Sequence, residues 1–359
     1  MIVRTFVMAG GGTGGHIVPS LAVAGELKRR GHKAVFIGTK KGLEAKLVPE
    51  AGYPLEWIDI DAMKGMGLRA ALLMAAKMPR AIHAARKVLR REAAAAVFSM
   101  GGFVAGPTVL AAASLGVPVV VMEPNAMPGL TNRKMASLAY RALVMFEEAG
   151  QFFRKGKWEV CGLPVREEFF RITQKVPGVP LTVLVTGGSR GSRTLNNAAR
   201  RAWQLAREAG MAVRWIHQCG VEMFAELSAE FSKGKYDGRV TAFVDNMPEA
   251  FAEADLIICR SGAGTVSELA ASGKPSVLVP YPFAADQHQL KNAEAMQNAG
   301  ASRLVLDQEM TGERMLAEIE SLAVDPLELA RMSKAARRLA KPDALKRATD
   351  VLESAVVNA

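Results

Sequence analysis

Cysteine is scarce in this 359-residue chain: Cys161, Cys219 and Cys259 stand far apart and form no C-x-x-C pair. They cannot supply a disulfide framework for a chain this size, which fits a reducing cytoplasm. Aromatic residues are also few, at 6%. That leaves few platforms for base stacking, and no RNA- or DNA-binding motif is present, so a nucleic-acid binder is disfavoured. The formal charge of +11, from 46 Lys and Arg against 35 Asp and Glu, is left to attract phosphates or an anionic membrane. No export leader is expected, because only the five-residue apolar run Thr5 to Ala9 precedes a glycine loop. One uncharged stretch, Ala93 to Met122, is long enough to span a bilayer. Gly101-Gly102, Gly106-Pro107 and Gly116-Val117-Pro118 break it into strand, helix and strand of a soluble sheet. Acidic residues are missing between Asp61 and Glu92, where eight basic residues mix with Leu68, Leu72, Leu73, Met74, Met78 and Ile82.

What is present is a globular composition, 50% hydrophobic and 23% charged, in a chain too long for one ordinary core. Ile2 to Ala9, the loop from Gly10 to Gly15 and an amphipathic segment from about His16 to Arg30 spell strand, tight loop and helix. The same order returns at Leu181 to Thr186, the loop Gly187 to Ser192 and a helix through Ala209. Ala95 to Ser99 with Val119 to Met122 is echoed by Asp255 to Cys259 with Ser276 to Pro280. Two similar α/β domains follow, with a linker at Cys161-Gly162-Leu163-Pro164 and ligands beyond the carboxyl ends of the strands.

Gly10, Gly12 and Gly15 match G-x-G-x-x-G between a strand and a helix, a spacing that lets backbone approach a pyrophosphate. The second strand ends in Thr39-Lys40-Lys41 without the acidic residue of an NAD site, so NAD is disfavoured; a plain tight turn stays open. His16 at the helix start is a neutral imidazole fit to accept a proton, or a helix-end hydrogen-bonder. The loop Gly187-Gly188-Ser189-Arg190-Gly191-Ser192 suits an anion at a helix N-terminus, with Ser192 as cap. In the run from Arg260 to Glu268, Thr265 to Glu268 reads as a capping box as readily as a ribose contact. Asp286, Gln287, His288, Gln289 and Asn292 either read sugar hydroxyls or start a solvated helix. The basic apolar stretch after Asp61 suits an anionic membrane surface or a core-facing helix with a basic outer face. Asp59-Ile60-Asp61 has a metal-binding spacing that recurs by chance, and no metal site is expected from it.

The segments GGGTGGH, MEPN (122–125), GLPVR (162–166), GGSRGSRTLN, CRSGAGTVSE and DQHQLKNA, in this order over nearly the whole chain, resemble the MurG-type glycosyltransferases of family 28. The resemblance implies the α/β GT-B fold, two Rossmann-like doubly wound domains facing an interdomain cleft. Residues 1–163 would be the acceptor and membrane-associated domain and 164–342 the donor domain, with a helix at 343–359 packing back on the first. It implies transfer of N-acetylglucosamine from UDP-N-acetylglucosamine, with inversion, to the 4-hydroxyl of undecaprenyl-diphospho-N-acetylmuramyl-pentapeptide (lipid I) at the cytoplasmic face of the cell membrane, as a peripheral protein. Donor contacts would come from Thr13, Gly14, Gly15, Asn125, Arg166, Ser189, Val244, Gln289 and the run Ala263, Gly264, Thr265, Val266, Ser267 and Glu268. Glu268 would meet the ribose, Val244 the uracil and Arg166 the diphosphate. His16 is the candidate base, with Glu268 and Asn125 beside it in the catalytic set. Leu68, Arg69, Leu72, Leu73, Met74, Lys77 and Arg80 would face the membrane and the acceptor. No cofactor is required, with room for stimulation by a divalent cation. Two departures stand out: an extra glycine before Thr13, and His288 where relatives often carry glutamine. A UDP-N-acetylglucosamine epimerase, or a transferase with another acceptor, is the rival; sugar release without acceptor separates the epimerase.

Overall fold

A computed structural model describes residues 2–11, 14–60, 68–174 and 178–357, with the backbone alone at 68–75. The chain divides into two compact units: Met1–Val165 with Lys341–Ala359, and Arg166–Ala340. The borders therefore fall at 165/166 and 340/341, against 163/164 and 342/343 from sequence. Gly162 explains the shift. At φ +79 it lies so close to Lys341 that an added Cβ would stand 2.5 Å from the lysine Cβ, which ties both segments to the first unit.

The first unit runs β1 (Thr5–Gly10), α1 (Gly14–Arg29), β2 (Lys33–Gly38), α2 (Glu44–Glu50), β3 (Leu55–Trp57), α3 (Leu68–Arg91), β4 (Ala94–Gly101), α4 (Ala105–Ser114), β5 (Val119–Glu123), α5 (Leu130–Met135), β6 (Arg141–Val144), α6 (Glu147–Gly150) and β7 (Trp158–Val160). Its seven strands are ordered β3-β2-β1-β4-β5-β6-β7, all parallel. The strand expected from Ile2 begins at Thr5; Ile2 and Val3 are exposed and unpaired in the sheet. Alternation along β1 sends Phe6 and Met8 into one core and Val7 and Ala9 into another, which is why a sheet buried on both faces reads as a continuous apolar run.

The second unit runs α7 (Glu167–Phe170), β8 (Leu181–Thr186), α8 (Arg193–Glu208), β9 (Val213–Gln218), α9 (Val221–Lys233), β10 (Gly238–Thr241), α10 (Met247–Glu253), β11 (Leu256–Cys259), α11 (Ala263–Ser272), β12 (Ser276–Leu278), α12 (His288–Asn298), β13 (Ser302–Leu304), α13 (Gly312–Ala323) and α14 (Pro326–Leu339). Its parallel order, β10-β9-β8-β11-β12-β13, repeats that of the first six strands. In both sheets the strand order reverses at the first strand of the unit, between β1 and β4 and between β8 and β11. There the loops leaving the carboxyl ends diverge and leave a crevice. Among the described residues no helix is long and apolar enough to cross a membrane.

The chain closes with α15 (Ala344–Val357), which belongs to the first unit. Ala348, Val351, Leu352 and Ala355 join the core of Phe6, Met8 and Ile17. Arg30 binds Asp350 at 2.6 Å and Glu353 at 2.7 Å, holding the helix beside α1. Leu352 is fully buried, so Leu352→Ala removes packing worth about 2–5 kcal/mol. Urea unfolding should show the first unit's transition moved to lower denaturant; an unmoved midpoint would mean that α15 does not stabilise this unit.

Candidate functional site

In the first unit the glycine loop leaves β1 over two close approaches. A Cβ on Gly10 would lie 2.9 Å from Met100 Cβ, and one on Gly11 would lie 2.7 Å from Glu44 Oε1. Glu44 is fully buried and accepts from the Thr39 amide and hydroxyl, both at 3.0 Å. The end of β2 is thus closed by a carboxylate from α2, where a dinucleotide site would offer one to a ribose. Gly14 and Gly15 form the first turn of α1; Thr13 and Gly12 lie outside the described residues. His16 follows, half-buried, with Nδ1 3.2 Å from the Gly11 carbonyl oxygen. A carbonyl only accepts, so Nδ1 carries the proton and donates, and in that tautomer Nε2 is the ring's acceptor nitrogen. Gly102, at φ +81, brings its backbone against this ring: a Cβ there would meet His16 Nδ1 at 3.4 Å.

Asn125 follows β5 and is positioned by Glu123. That carboxylate, 1% exposed, accepts from the Asn125 amide at 2.9 Å and its Nδ2 at 3.1 Å, from the Gly129 amide at 3.1 Å and from Asn132 Nδ2 at 2.8 Å. Burial pushes its pKa up to about 6 against the downward pull of these donors.

In the second unit Ser192 caps α8, accepting from the Leu195 amide at 3.4 Å. It also accepts from Arg260 Nη2 at 2.7 Å. Arg260 is anchored further by the Val279 and Pro280 carbonyls and by Asp307 at 2.5 Å. It braces the loop, while Ser189 and Arg190 stand exposed on it. Gln218, at the end of β9, accepts from the Thr186 hydroxyl and donates to the Gly188 carbonyl at 2.9 Å and the Ala242 carbonyl at 3.4 Å. It joins the Ser189 loop to the segment carrying half-buried Val244.

Helix α11 begins at Ala263 with Gly262 as N-cap and no side-chain cap. The capping-box reading of Thr265 and Glu268 is therefore corrected: both lie within the helix, because the chain turns helical two residues before Thr265. Ala263, Gly264 and Thr265 are half-buried, Val266 and Ser267 buried. Glu268 is half-buried, and among the described residues no donor serves its carboxylate. Burial pushes its pKa up to about 7, with the Arg166 charge pulling the other way. Arg166 stands exposed before α7, its guanidinium 5.1 Å from the Phe169 ring. Gln289 Oε1 accepts from the Tyr281 amide at 3.0 Å, which leaves its NH₂ group as the donor to offer. Just before it, Asp286 and Gln287 are both left-handed, at φ 50 and 54. The His288 ring donates from Nδ1 to the Ala285 carbonyl at 2.7 Å.

On α3, Ala81, Ala85, Val88 and Leu89 face the core and Arg80, His83, Lys87 and Arg90 face out. Lys77 binds exposed Asp59 at 3.2 Å. A shallow depression of about 710 Å³ runs along Met78, Ile82, Arg86 and Arg90. Asp61 and the side chains of Leu68, Arg69, Leu72, Leu73 and Met74 lie outside the described residues. Among the described residues no group of three or more His, Cys, Asp or Glu is placed to hold a metal. Sequence reasoning had not assigned Glu44, Glu123, Arg260 or Gln218 a role. For Glu123, Arg260 and Gln218 the available signal was a charged or amide side chain at or just past the end of an apolar strand, where burial demands partners; Glu44, at the start of α2, carried no such signal.

Residues 6–144 match the glycosyltransferase family 28 N-terminal domain and residues 182–348 the family 28 C-terminal domain. A UDP-N-acetylglucosamine--N-acetylmuramyl-(pentapeptide) pyrophosphoryl-undecaprenol N-acetylglucosamine transferase of Solibacter usitatus is 54% identical over 97% of this chain and 95% of its own. The crystal structure of Acinetobacter baumannii MurG superposes with a TM-score of 0.81 at 31% identity, covering 98% of this chain and 99% of that one. A UDP-GlcNAc 2-epimerase from Neisseria meningitidis shares the fold, with a TM-score of 0.67, at 14% identity over the full length of both chains.

Glu123 yields a test independent of function. In Glu123→Gln one acceptor oxygen becomes an NH₂ group facing N–H donors, at a cost of about 1–3 kcal/mol. Folding raises the wild-type carboxyl from 4.5 to about 6, so its stabilising contribution is full below pH 4.5 and declines as pH rises through 6. Denaturant unfolding should therefore show a deficit for the variant that narrows between pH 4.5 and 7. A deficit that widens over that range would contradict the assignment.

Proposed function

The chain belongs to glycosyltransferase family 28 and has its GT-B fold, and from that premise we propose that it transfers N-acetylglucosamine, with inversion, from UDP-N-acetylglucosamine to the muramyl 4-hydroxyl of undecaprenyl-diphospho-N-acetylmuramyl-pentapeptide in peptidoglycan synthesis. The observation that carries this is the 54% identity, over 97% of the chain, to a transferase whose name states that activity. The epimerase likeness is one of fold alone.

The side chains divide the work as follows. Backbone N–H groups of the Gly188–Ser189 loop and the uncapped start of α11, with Arg166, hold the diphosphate and stabilise it as it leaves. Glu268, short of donors, takes the ribose hydroxyls, and the Val244 backbone meets the uracil. Gln289, Asn125, Thr13, Gly14 and Gly15 address the sugar. The 4-hydroxyl oxygen of the acceptor attacks the anomeric carbon and the bond from that carbon to the diphosphate oxygen breaks. UDP departs with the bonding pair, and the hydroxyl proton passes to Nε2 of His16. No metal is needed for this cradle. The outward basic face of α3 rests on the anionic cytoplasmic surface of the cell membrane, where each basic residue near the lipid contributes about 1 kcal/mol, and presents the unit to its lipid-linked acceptor.

The test is UDP release by the purified protein with and without the lipid-linked acceptor. Release that depends on acceptor, with a disaccharide product, supports the reading; acceptor-independent release or an epimerised sugar overturns it. His16→Ala should lower turnover by about 10²–10⁴-fold with the donor KM little changed, and a loss of only a few-fold would remove His16 as the base. Glu268 gives a pH signature: its carboxylate accepts best from the two ribose hydroxyls when ionised, so affinity for UDP-N-acetylglucosamine, whose diphosphate does not itself titrate in this range, should fall as pH drops below about 7. Titration calorimetry from pH 5.5 to 8.5 should show that slope in the wild type and a flat, weak profile in Glu268→Gln. Matching profiles for the two proteins would place the ribose elsewhere.

A further inference from the structure

The second unit carries a pocket of about 680 Å³ at the amino ends of β11 and β12, opposite the glycine loops at the carboxyl ends of the strands. Ala254 and Asp255, just before β11, and Lys274 and Pro275, just before β12, form one wall; α14 forms the other. That volume lies within the range of small-ligand sites. Pro275, Pro326 and Leu327 give the pocket an apolar side, and Leu327 is 72% exposed. Its charge is one-sided, with Lys274, Lys334, Arg337 and Arg338 against Asp255. Lys274 and Asp255 are buried and occupied: Lys274 donates to the Ala254 carbonyl at 2.7 Å, and Asp255 accepts from the Thr182 amide at 2.8 Å.

Arg337 is different. Its acceptors are carbonyl oxygens, those of Phe170 at 3.3 Å, Ile172 at 2.7 Å and Ala271. Among the described residues no carboxylate pairs with it, nor with exposed Lys334 and Arg338. Burial lowers its pKa with no compensating acid. A desolvated guanidinium among neutral acceptors favours an added anion.

We propose that this pocket is a second ligand site, for a soluble single-chain amphiphile with a phosphate or carboxylate head against Arg337, Lys334 and Arg338 and an apolar body along Pro275, Pro326 and Leu327. The site is joined to α11. Arg337 closes the carboxyl end of that helix at Ala271, and Gln174, itself held by Ser333 at 2.6 Å, donates to the Ser272 and Gly273 carbonyls at 2.9 and 3.0 Å. The helix is about 15 Å long at its rise per residue, and its other end carries Ala263 to Glu268. Occupancy that draws Arg337 toward the head alters the cap and changes donor affinity. This coupling rests on the donor reading above; the binding does not.

The probe is decyl phosphate, below its micelle threshold, titrated into the full-length protein by calorimetry. Saturable one-site binding is expected, weakened at least tenfold in Lys334→Glu/Arg338→Glu and in Leu327→Asp, which alter exposed side chains. Inorganic phosphate and decanol should each bind at least tenfold more weakly than the probe. Absence of saturable binding, or binding indifferent to both variants, overturns the site. UDP titrated with and without saturating probe should differ in affinity by at least threefold; equal affinities overturn the coupling. Failure of UDP to bind even without the probe would instead be a failure of the donor reading.

Discussion

The start of α11 leaves backbone N–H groups that no side chain caps, and a helix cannot satisfy its first N–H groups internally. The donor side of the molecule is arranged around this constraint. At Gly262 and Gly264 an added Cβ would meet nothing within 4 Å, so packing does not explain the glycines; they keep space open above polar backbone. Gly14 at the start of α1 is the same. Gly187 and Gly191 are the contrast, since a Cβ there would run into backbone at 2.3 and 2.1 Å. Two kinds of glycine thus share one motif: some make the turn, and others leave the room that an oxygen-rich ligand needs to reach the N–H groups.

Three acids differ in the partners that the fold gives a carboxyl in this protein. Glu44 and Glu123 lie beneath the loops of the first unit, and each gathers several donors. Burial pushes both the Glu123 and the Glu268 carboxyls up. At Glu123 four N–H donors oppose that push, because each favours the ionised form. Glu268 has only the field of Arg166 to offset its desolvation. It is therefore the carboxyl that gains most from hydroxyl donors brought by a ligand, whereas the first two are already spent on holding loops rigid.

The strands and the glycine turns were legible from sequence because both follow from local rules: apolar runs for strands covered on two faces, and glycine where the backbone must turn. Leu181 to Thr186 was read to the residue. Ile2 and Val3 were read as strand because they are apolar, but no neighbouring strand reaches them. The capping box at Thr265 failed for a subtler reason. Its spacing was right, but α11 is started two residues earlier by backbone geometry at Gly262, and such a start has no side-chain signature. On the described part of α3 one face packs on the core and the other is basic and exposed, which is the core-facing reading of the segment. Glu123 sat inside the MEPN segment, yet its partners Gly129 and Asn132 come from the next turn of chain, a distance over which periodicity says nothing.

Gln218 shows what such unread residues contribute. Loops at the end of a sheet are ordinarily mobile, and a site made of two independent loops must order both when a ligand arrives. Here the Gly188 amide donates to the Thr186 hydroxyl, the hydroxyl donates to Gln218, and Gln218 donates onward to Gly188 and Ala242. The Gly188–Ser189 loop and the segment carrying Val244 are thereby one hydrogen-bonded body, anchored on a buried strand end. A satisfied network of this kind is stiff because breaking the link between buried Thr186 and Gln218 strands polar groups away from water. Most of the ordering cost is then met during folding, and binding is left to supply contacts.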